Sequence, residues 1–144
     1  MFSKACQYGI KASVFIASQS ALGNRVSLKE IASSIDSPEA FTAKILHQLA
    51  KQNILTSLKG PTGGFEIPEG RAEILKLSNI VSAIDGDSIY VGCALGFDRC
   101  DALQPCPMHN KFVAIRNNLR VMLETTSLFE LANGLDVGMS FLKR

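Results

Sequence analysis

Four side chains with soft or borderline donor atoms crowd one short stretch of the chain. The segment GCALGFDRCDALQPCPMHNKF, residues 92–112, carries Cys93, Cys100, Cys106 and His109 in the spacing C-x6-C-x5-C-x2-H. Elsewhere there is one further cysteine, Cys6, and one further histidine, His47. In a reducing compartment, clustered cysteines serve as metal ligands or redox centres more often than as a disulfide framework. Three thiolates suit an iron–sulfur cluster, which usually takes four protein donors. The same Cys3His set could instead hold a tetrahedral zinc ion, and bare thiols could close a redox disulfide. Gly92, Gly96 and Pro105 let the backbone wrap a bulky inorganic core, while Asp98, Arg99 and Asp101 keep its edge wet.

Composition narrows what surrounds that loop. The chain has 144 residues, 47% apolar and 19% charged, which is enough for one domain with a buried core. Tryptophan is absent and aromatics are few, so the core falls to Leu, Ile, Val and Ala, a composition that favours helices. Lys11 interrupts the apolar opening and no cleavage pattern follows, so no secretion signal is expected. No segment reaches the ~18–20 apolar residues of a membrane helix, and the expected location is the cytoplasm. No nucleophile triad, phosphate-cradling loop or carboxylate pair stands out, so no catalytic turnover is expected. Charge is uneven: residues 1–60 carry seven Lys/Arg against three Asp/Glu, whereas residues 61–144 carry eight against ten. A basic front half points to a polyanionic partner.

The elements that position the loop follow from periodicity and caps. A first helix is expected over residues 3–22, with Tyr8, Ala12, Phe15 and Ile16 on one side. Ser27 and Glu30 form a capping box for a short helix over 28–35. Ser37 as N-cap and Pro38 in the first helical position start a third helix, 38–52, that buries Phe41, Ile45, Leu46 and Leu49. ILTSL and GFEI, joined by the Gly/Pro-rich KGPTG, form a hairpin. Another helix covers 77–84. Pro107 then opens a long helix to 124 in which Phe112, Ile115, Leu119 and Met122 follow the 3-4-3 spacing of a packed helix seam. Ser127 and Glu130 cap a last helix ending at Gly134.

Two short helices, a third helix and a hairpin are the order of a winged helix-turn-helix, whose last helix fits the major groove of duplex DNA. The outward face of the third helix would carry Glu39, Ala40, Ala43, Lys44 and His47, with Ser37 near its start. Lys44, Lys51, Lys59 on the wing and Lys4 on the first turn are candidates for phosphate. Ser3, Ser27 and Thr62 complete the candidate DNA contacts. The fold class expected is mainly α with a small β-hairpin wing. It divides into a DNA-binding domain over 1–86, a sensor loop over 87–106, and a dimerisation helix with a final short helix over 107–144.

The wing string KGPTGGFEI resembles that of the Rrf-type transcriptional regulators, with Lys59 for the family's Arg, Thr62 for Gly and Phe65 for Tyr. MFSKACQYGIKA resembles the family's opening, SPEAFTAKILHQLAKQNIL its recognition helix, LSNIVSAIDG the following helix, and LETTSLFELA the end of its dimerisation helix. The resemblance implies a homodimer bound to a partly palindromic double-stranded operator; the chain is read as a repressor in the cytoplasm, without membrane contact. Ala43 stands where some members carry glutamate, so their base preference does not transfer.

The resemblance also implies an iron–sulfur cluster, 2Fe–2S ahead of 4Fe–4S, on Cys93, Cys100 and Cys106. His109 occupies the place of the fourth ligand in the family's iron–sulfur cluster regulator. In its nitric-oxide sensors an acidic residue of the partner's first helix serves instead, and Gln7 stands there in this chain. Cys6, beside it, reads either as a donor in trans or as a small buried residue, with burial the stronger reading. Two alternatives stay open: a metal-independent DNA-binding repressor, and a small iron–sulfur electron-transfer or cluster-carrier protein.

Overall fold

A computed structural model describes all 144 residues. Helix α1, Lys4–Ala21, is buried on most of its circumference through Cys6, Gly9, Ala12, Ser13, Val14, Ile16, Ala17 and Ser18. Most of these residues are small, so neighbouring elements approach its axis closely. At Gly9 an added Cβ would lie 2.2 Å from Ile84 Cδ1. The end of the Ile84 side chain occupies the place a methyl group on Gly9 would take.

Helix α2, Leu28–Ile35, begins at the expected capping box: Ser27 Oγ accepts from the Glu30 amide, and the Glu30 carboxylate accepts from the Ser27 amide at 2.7 Å. Asp36, in the left-handed region, ends it. Helix α3, Glu39–Lys51, buries Thr42, Ile45, Leu46 and Leu49. Its start corrects one expectation. Pro38, with extended backbone, holds the N-cap position, and no side chain caps the helix. The Ser37 hydroxyl turns instead to Thr42 Oγ1, which itself donates to the Pro38 carbonyl at 2.8 Å. Phe41 is only half-buried and meets the Tyr8 ring edge-on at 5.7 Å.

The wing is an antiparallel pair, β1 (Thr56–Leu58) and β2 (Gly64–Glu66), in register Thr56↔Glu66, Ser57↔Phe65 and Leu58↔Gly64. Val26, just ahead of α2, exchanges both backbone bonds with Phe65 at 3.1 and 2.8 Å, which welds the hairpin to the helical trio. Two four-residue helices were not evident from the sequence, α4 (Arg71–Ile74) and α6 (Ser88–Val91). Between them α5, Leu77–Asp85, buries Leu77, Ile80 and Val81.

The long helix α7, His109–Thr125, begins two residues later than Pro107, and Leu123 is its only buried residue. Helix α8, Leu128–Asp136, runs two residues past Gly134; Ser127 Oγ accepts from the Glu130 amide. It packs along α1, where Ser18 Oγ donates to Asp136 at 2.6 Å. Leu123, Leu128 and Ala132 thereby join the same core as Ile16, Ile31, Ile35, Leu46 and Ile80.

The wing generates a prediction. A Cβ on Gly63 would meet the Leu58 carbonyl oxygen at 2.2 Å and the Lys59 carbonyl carbon at 2.8 Å, both backbone atoms that cannot swing aside. Gly63→Ala should cost more than about 1 kcal/mol and speed amide exchange across residues 56–66. Unchanged protection there would show that the turn is not closed by this approach.

Candidate functional site

The cysteine loop runs from the end of α6 to the start of α7 and is folded back on α7 by two arginines one turn apart. Arg120 lies over the Tyr90 ring, 5.0 Å from its centroid. Arg116 donates through Nη1 to the Gly92 carbonyl and through Nη2 to Cys100 Sγ, the latter at 3.2 Å. Cys93, Cys100, Cys106 and His109 all line one concavity of about 600 Å3, together with Phe97, Asp98, Arg99 and Asp101. Cys100 Sγ lies 3.2 Å from His109 Nδ1.

Local electrostatics favours charge on one of these sulfurs. The backbone amides of Leu95 and Phe97 hold the Cys93 thiol below its ordinary pKa, against a smaller opposing effect of burial. The Cys106 thiol and the Gly96 amide add to the lowering. Cys100 and His109 are direct neighbours, and Cys93 and Cys106 line the same concavity. No three Cys, His, Asp or Glu side chains converge on a point suited to a single ion. The donor set, three thiols and an imidazole on one concavity, has the chemistry that an iron–sulfur cluster or a tetrahedral zinc ion takes.

Cys6 lies outside this group. It is fully buried, and burial, the Asp85 charge and a hydrogen bond to that carboxylate push its thiol up to about 12. Held neutral, it is a packing residue, in keeping with the stronger of its two readings. Gln7 is exposed and donates to the Phe2 carbonyl at 3.1 Å.

The second group of candidate residues lies on the α1–α3–wing side. Glu39, Ala40, Lys44 and His47 are exposed along α3, and Ala43 is half-buried. Lys59 and Thr62 are exposed on the wing. Ser27 is exposed, and its hydroxyl proton remains available although its oxygen caps α2. Two hydroxyls fit less well. Ser3 Oγ gives its proton to Asp85 while accepting from the Cys6 amide at 3.0 Å, so it has no donor left for phosphate. Ser37 Oγ is likewise engaged with Thr42, whose own proton goes to Pro38.

Sequence reasoning passed over three side chains. Lys11 joins Lys4 over the Tyr8 ring, at 5.8 and 5.1 Å from its centroid, and the i, i+4, i+7 spacing of Lys4, Tyr8 and Lys11 carries that signal. Arg25 braces the wing, pairing with Glu66 at 2.9 Å and donating to the Thr62 carbonyl at 3.3 Å. Arg116 follows His109 by seven residues, a helical repeat that places both on one face.

Residues 2–134 match the Rrf2 family, described as iron-dependent transcriptional regulators. The chain belongs to the Rrf2 family. It is 27% identical over 135 residues to a candidate HTH-type transcriptional regulator of Aquifex aeolicus, with 92% of each chain covered. CymR, the global cysteine regulator of B. subtilis, shares the fold at a TM-score of 0.74 and 18% identity, over 92% of this chain and 96% of that one. IscR of T. potens gives 0.72 at 18% identity, over 97% and 92%. The winged-helix architecture read from the sequence is thus the observed one. This Rrf2 protein is a DNA-binding transcriptional regulator rather than an enzyme, and none of its helices is long and apolar enough to cross a membrane.

The state of Cys6 yields a pH prediction. Its folded pKa lies above the ordinary 9.0, so between 9.0 and about 12 the unfolded chain has released a proton that the folded chain retains. Stability therefore falls as pH rises through that window. Urea unfolding of Cys6→Ala should show a shallower alkaline decline than the unaltered protein; parallel declines would contradict a neutral buried thiol.

Proposed function

We propose that this Rrf2 protein acts as a homodimeric repressor on a partly palindromic operator, its affinity set by an iron–sulfur cluster of the 2Fe–2S type on Cys93, Cys100, Cys106 and His109. One observation carries the reading. The four donors are gathered at the head of α7, the helix that also bears an apolar seam its own chain leaves uncovered. Ile115 is 57% exposed and Met122 42%, Val121 is also exposed, and Phe112 and Leu119 are half-buried. A second copy of α7 would cover this stripe in the manner of a two-helix seam.

Held by Cys93, Cys100, Cys106 and His109, such a cluster would supply iron open to nitric oxide or oxygen. The chain's own residues do the rest. Engaging Cys93 and Cys100 with Cys106 and His109 fixes residues 92–109 against α6 and α7. That changes the setting of the seam, and with it the spacing of the two α3 helices. A coupling of about 1–3 kcal/mol gives a useful change in operator affinity. On the DNA side, the exposed face of α3 around Ala40, Ala43, Lys44 and His47 enters the major groove. Lys4, Lys51 and Lys59 meet phosphates, and Arg25 holds the wing in place. Division of labour along the chain follows: residues 1–86 grip DNA, 87–106 sense, and 107–144 pair the subunits.

Anaerobic purification with iron and acid-labile sulfide analysis, followed by gel shifts on genomic fragments in both cluster states, tests the reading. Iron, sulfide and a state-dependent shift are expected. Equal operator binding after Cys93, Cys100 and Cys106 are all changed to Ser would leave a metal-independent repressor, and no salt-sensitive binding in either state would favour a cluster carrier. His109→Ala should shorten the cluster's lifetime or alter its spectrum. Lys59→Ala should weaken binding to all sequences and lower the salt slope by about one; loss confined to a single operator would contradict a phosphate contact. Ile115→Asp should weaken self-association by more than about tenfold in sedimentation, since an unpaired charge buried in an apolar seam is costly.

A further inference from the structure

The contacts of Arg116 reach further than that reading of the loop, on which this inference rests. Its guanidinium sits half-buried on α7 and spans two points of the loop that are far apart in the chain. One arm binds the carbonyl of Gly92, the residue immediately before Cys93; the other binds Cys100 Sγ at 3.2 Å. The same sulfur faces His109 Nδ1 at 3.2 Å from the opposite end of the first two turns of α7. Seven residues at 1.5 Å rise separate His109 from Arg116, so one helix face presents two groups to one sulfur. The segment 92–100 is thereby closed onto α7 at both ends, and Arg120 holds Tyr90 just ahead of it.

We propose that Arg116 is a positioning residue for the sulfur-donor site: its two-pronged donor sets Cys93 and Cys100 in register on α7, and its N–H to Cys100 raises the reduction potential of the cluster bound there. Hydrogen bonds to ligating sulfurs are among the terms that set such potentials, because a donor draws negative charge from the sulfur and favours the reduced, more negative cluster. A positive charge next to the sulfur acts in the same direction. The guanidinium suits the task because its planar fork serves two acceptors at once, which a lysine ammonium on a flexible stem does less well. Ile115, the neighbouring residue, belongs to the uncovered seam, so the helix turn that carries the sulfur clamp also carries the pairing surface.

Two variants of the full chain, Arg116→Met and Arg116→Lys, test this. Amide exchange on iron-free protein reads the clamp without any cluster. Arg116→Met should speed exchange at residues 92–100 about tenfold and leave α1 to α3 unchanged. Equal exchange in that segment would overturn the positioning claim, and faster exchange throughout the chain would mark general destabilisation and overturn it as well. Redox titration of anaerobically reconstituted protein reads the second half. The Arg116→Met midpoint should fall by about a tenfold change in the reduction equilibrium, about 59 mV for one electron. Arg116→Lys should recover most of the midpoint but not the exchange protection. An unchanged midpoint in Arg116→Met would remove the potential-tuning role. If the unaltered protein takes up no iron or sulfide, the cluster reading and the potential claim fail together, while the exchange arm still decides whether Arg116 clamps the loop.

Discussion

The close burial of α1 is the constraint on which the rest of the structure depends. Its small residues let α2, α3, α5, α8 and the wing strand β2 share one helix as their common wall. At Gly9 the crossing with α5 is so tight that Ile84 already fills the space a methyl group would need. Tight crossings keep dispersion contacts short and leave little slack, since packed interiors shift between discrete arrangements rather than deforming smoothly. Helix α3 inherits that rigidity. Leu46 and Leu49 are fully buried, each contributing ~1.5–3 kcal/mol, and Gln48 donates to the Ala83 carbonyl of α5 at 2.8 Å. The outer face of α3 is free because its inner face is so firmly committed.

The loop is built on the opposite principle. Between Gly92 and Met108 the chain has no regular element and contributes no residue to the buried core. What holds it is polar: the Arg116 fork, the Cys100–His109 approach, and a turn closed by the Gly96 amide on the Cys93 carbonyl at 3.1 Å. Such contacts are individually worth about 0.5–1.5 kcal/mol, somewhat more when charged. Ligand binding of ordinary strength can therefore reorganise the segment, whereas it could not move α1. The helical trio is rigid, whereas the loop between α6 and α7 is held only by a few polar contacts.

Much of this was legible in the sequence, and the parts that were not share a cause. Capping chemistry gave α2 to the residue, because Ser27 and Glu30 satisfy each other locally. The start of α3 differs because the Ser37 hydroxyl bonds the Thr42 side chain on the same helix, five residues on, rather than a first-turn amide. Helices α4 and α6 have four residues each, too short to display a period. At the site, residue types and spacing picked out Cys93, Cys100, Cys106 and His109, and the fold does bring all four to one concavity. The approach of Cys100 to His109 was not readable, since it depends on how the loop folds back on α7. Arg116 went unnoticed because arginines on a long polar helix are ordinary until one is seen to reach a sulfur.

The junction of Ser3 with Asp85 has a practical side. Both the amide and the hydroxyl of Ser3 bond that carboxylate, the amide at 2.9 Å, so the N-cap of α1 is latched to the last residue of α5. Asp85 sits three positions ahead of α6 and also borders the Cys6 thiol. A purification handle fused in front of Met1 would tug on this latch and, through it, on the approach to the sulfur-bearing segment. Handles at the other terminus are not neutral either, because Lys143 reaches back to the Ser33 carbonyl at 3.1 Å.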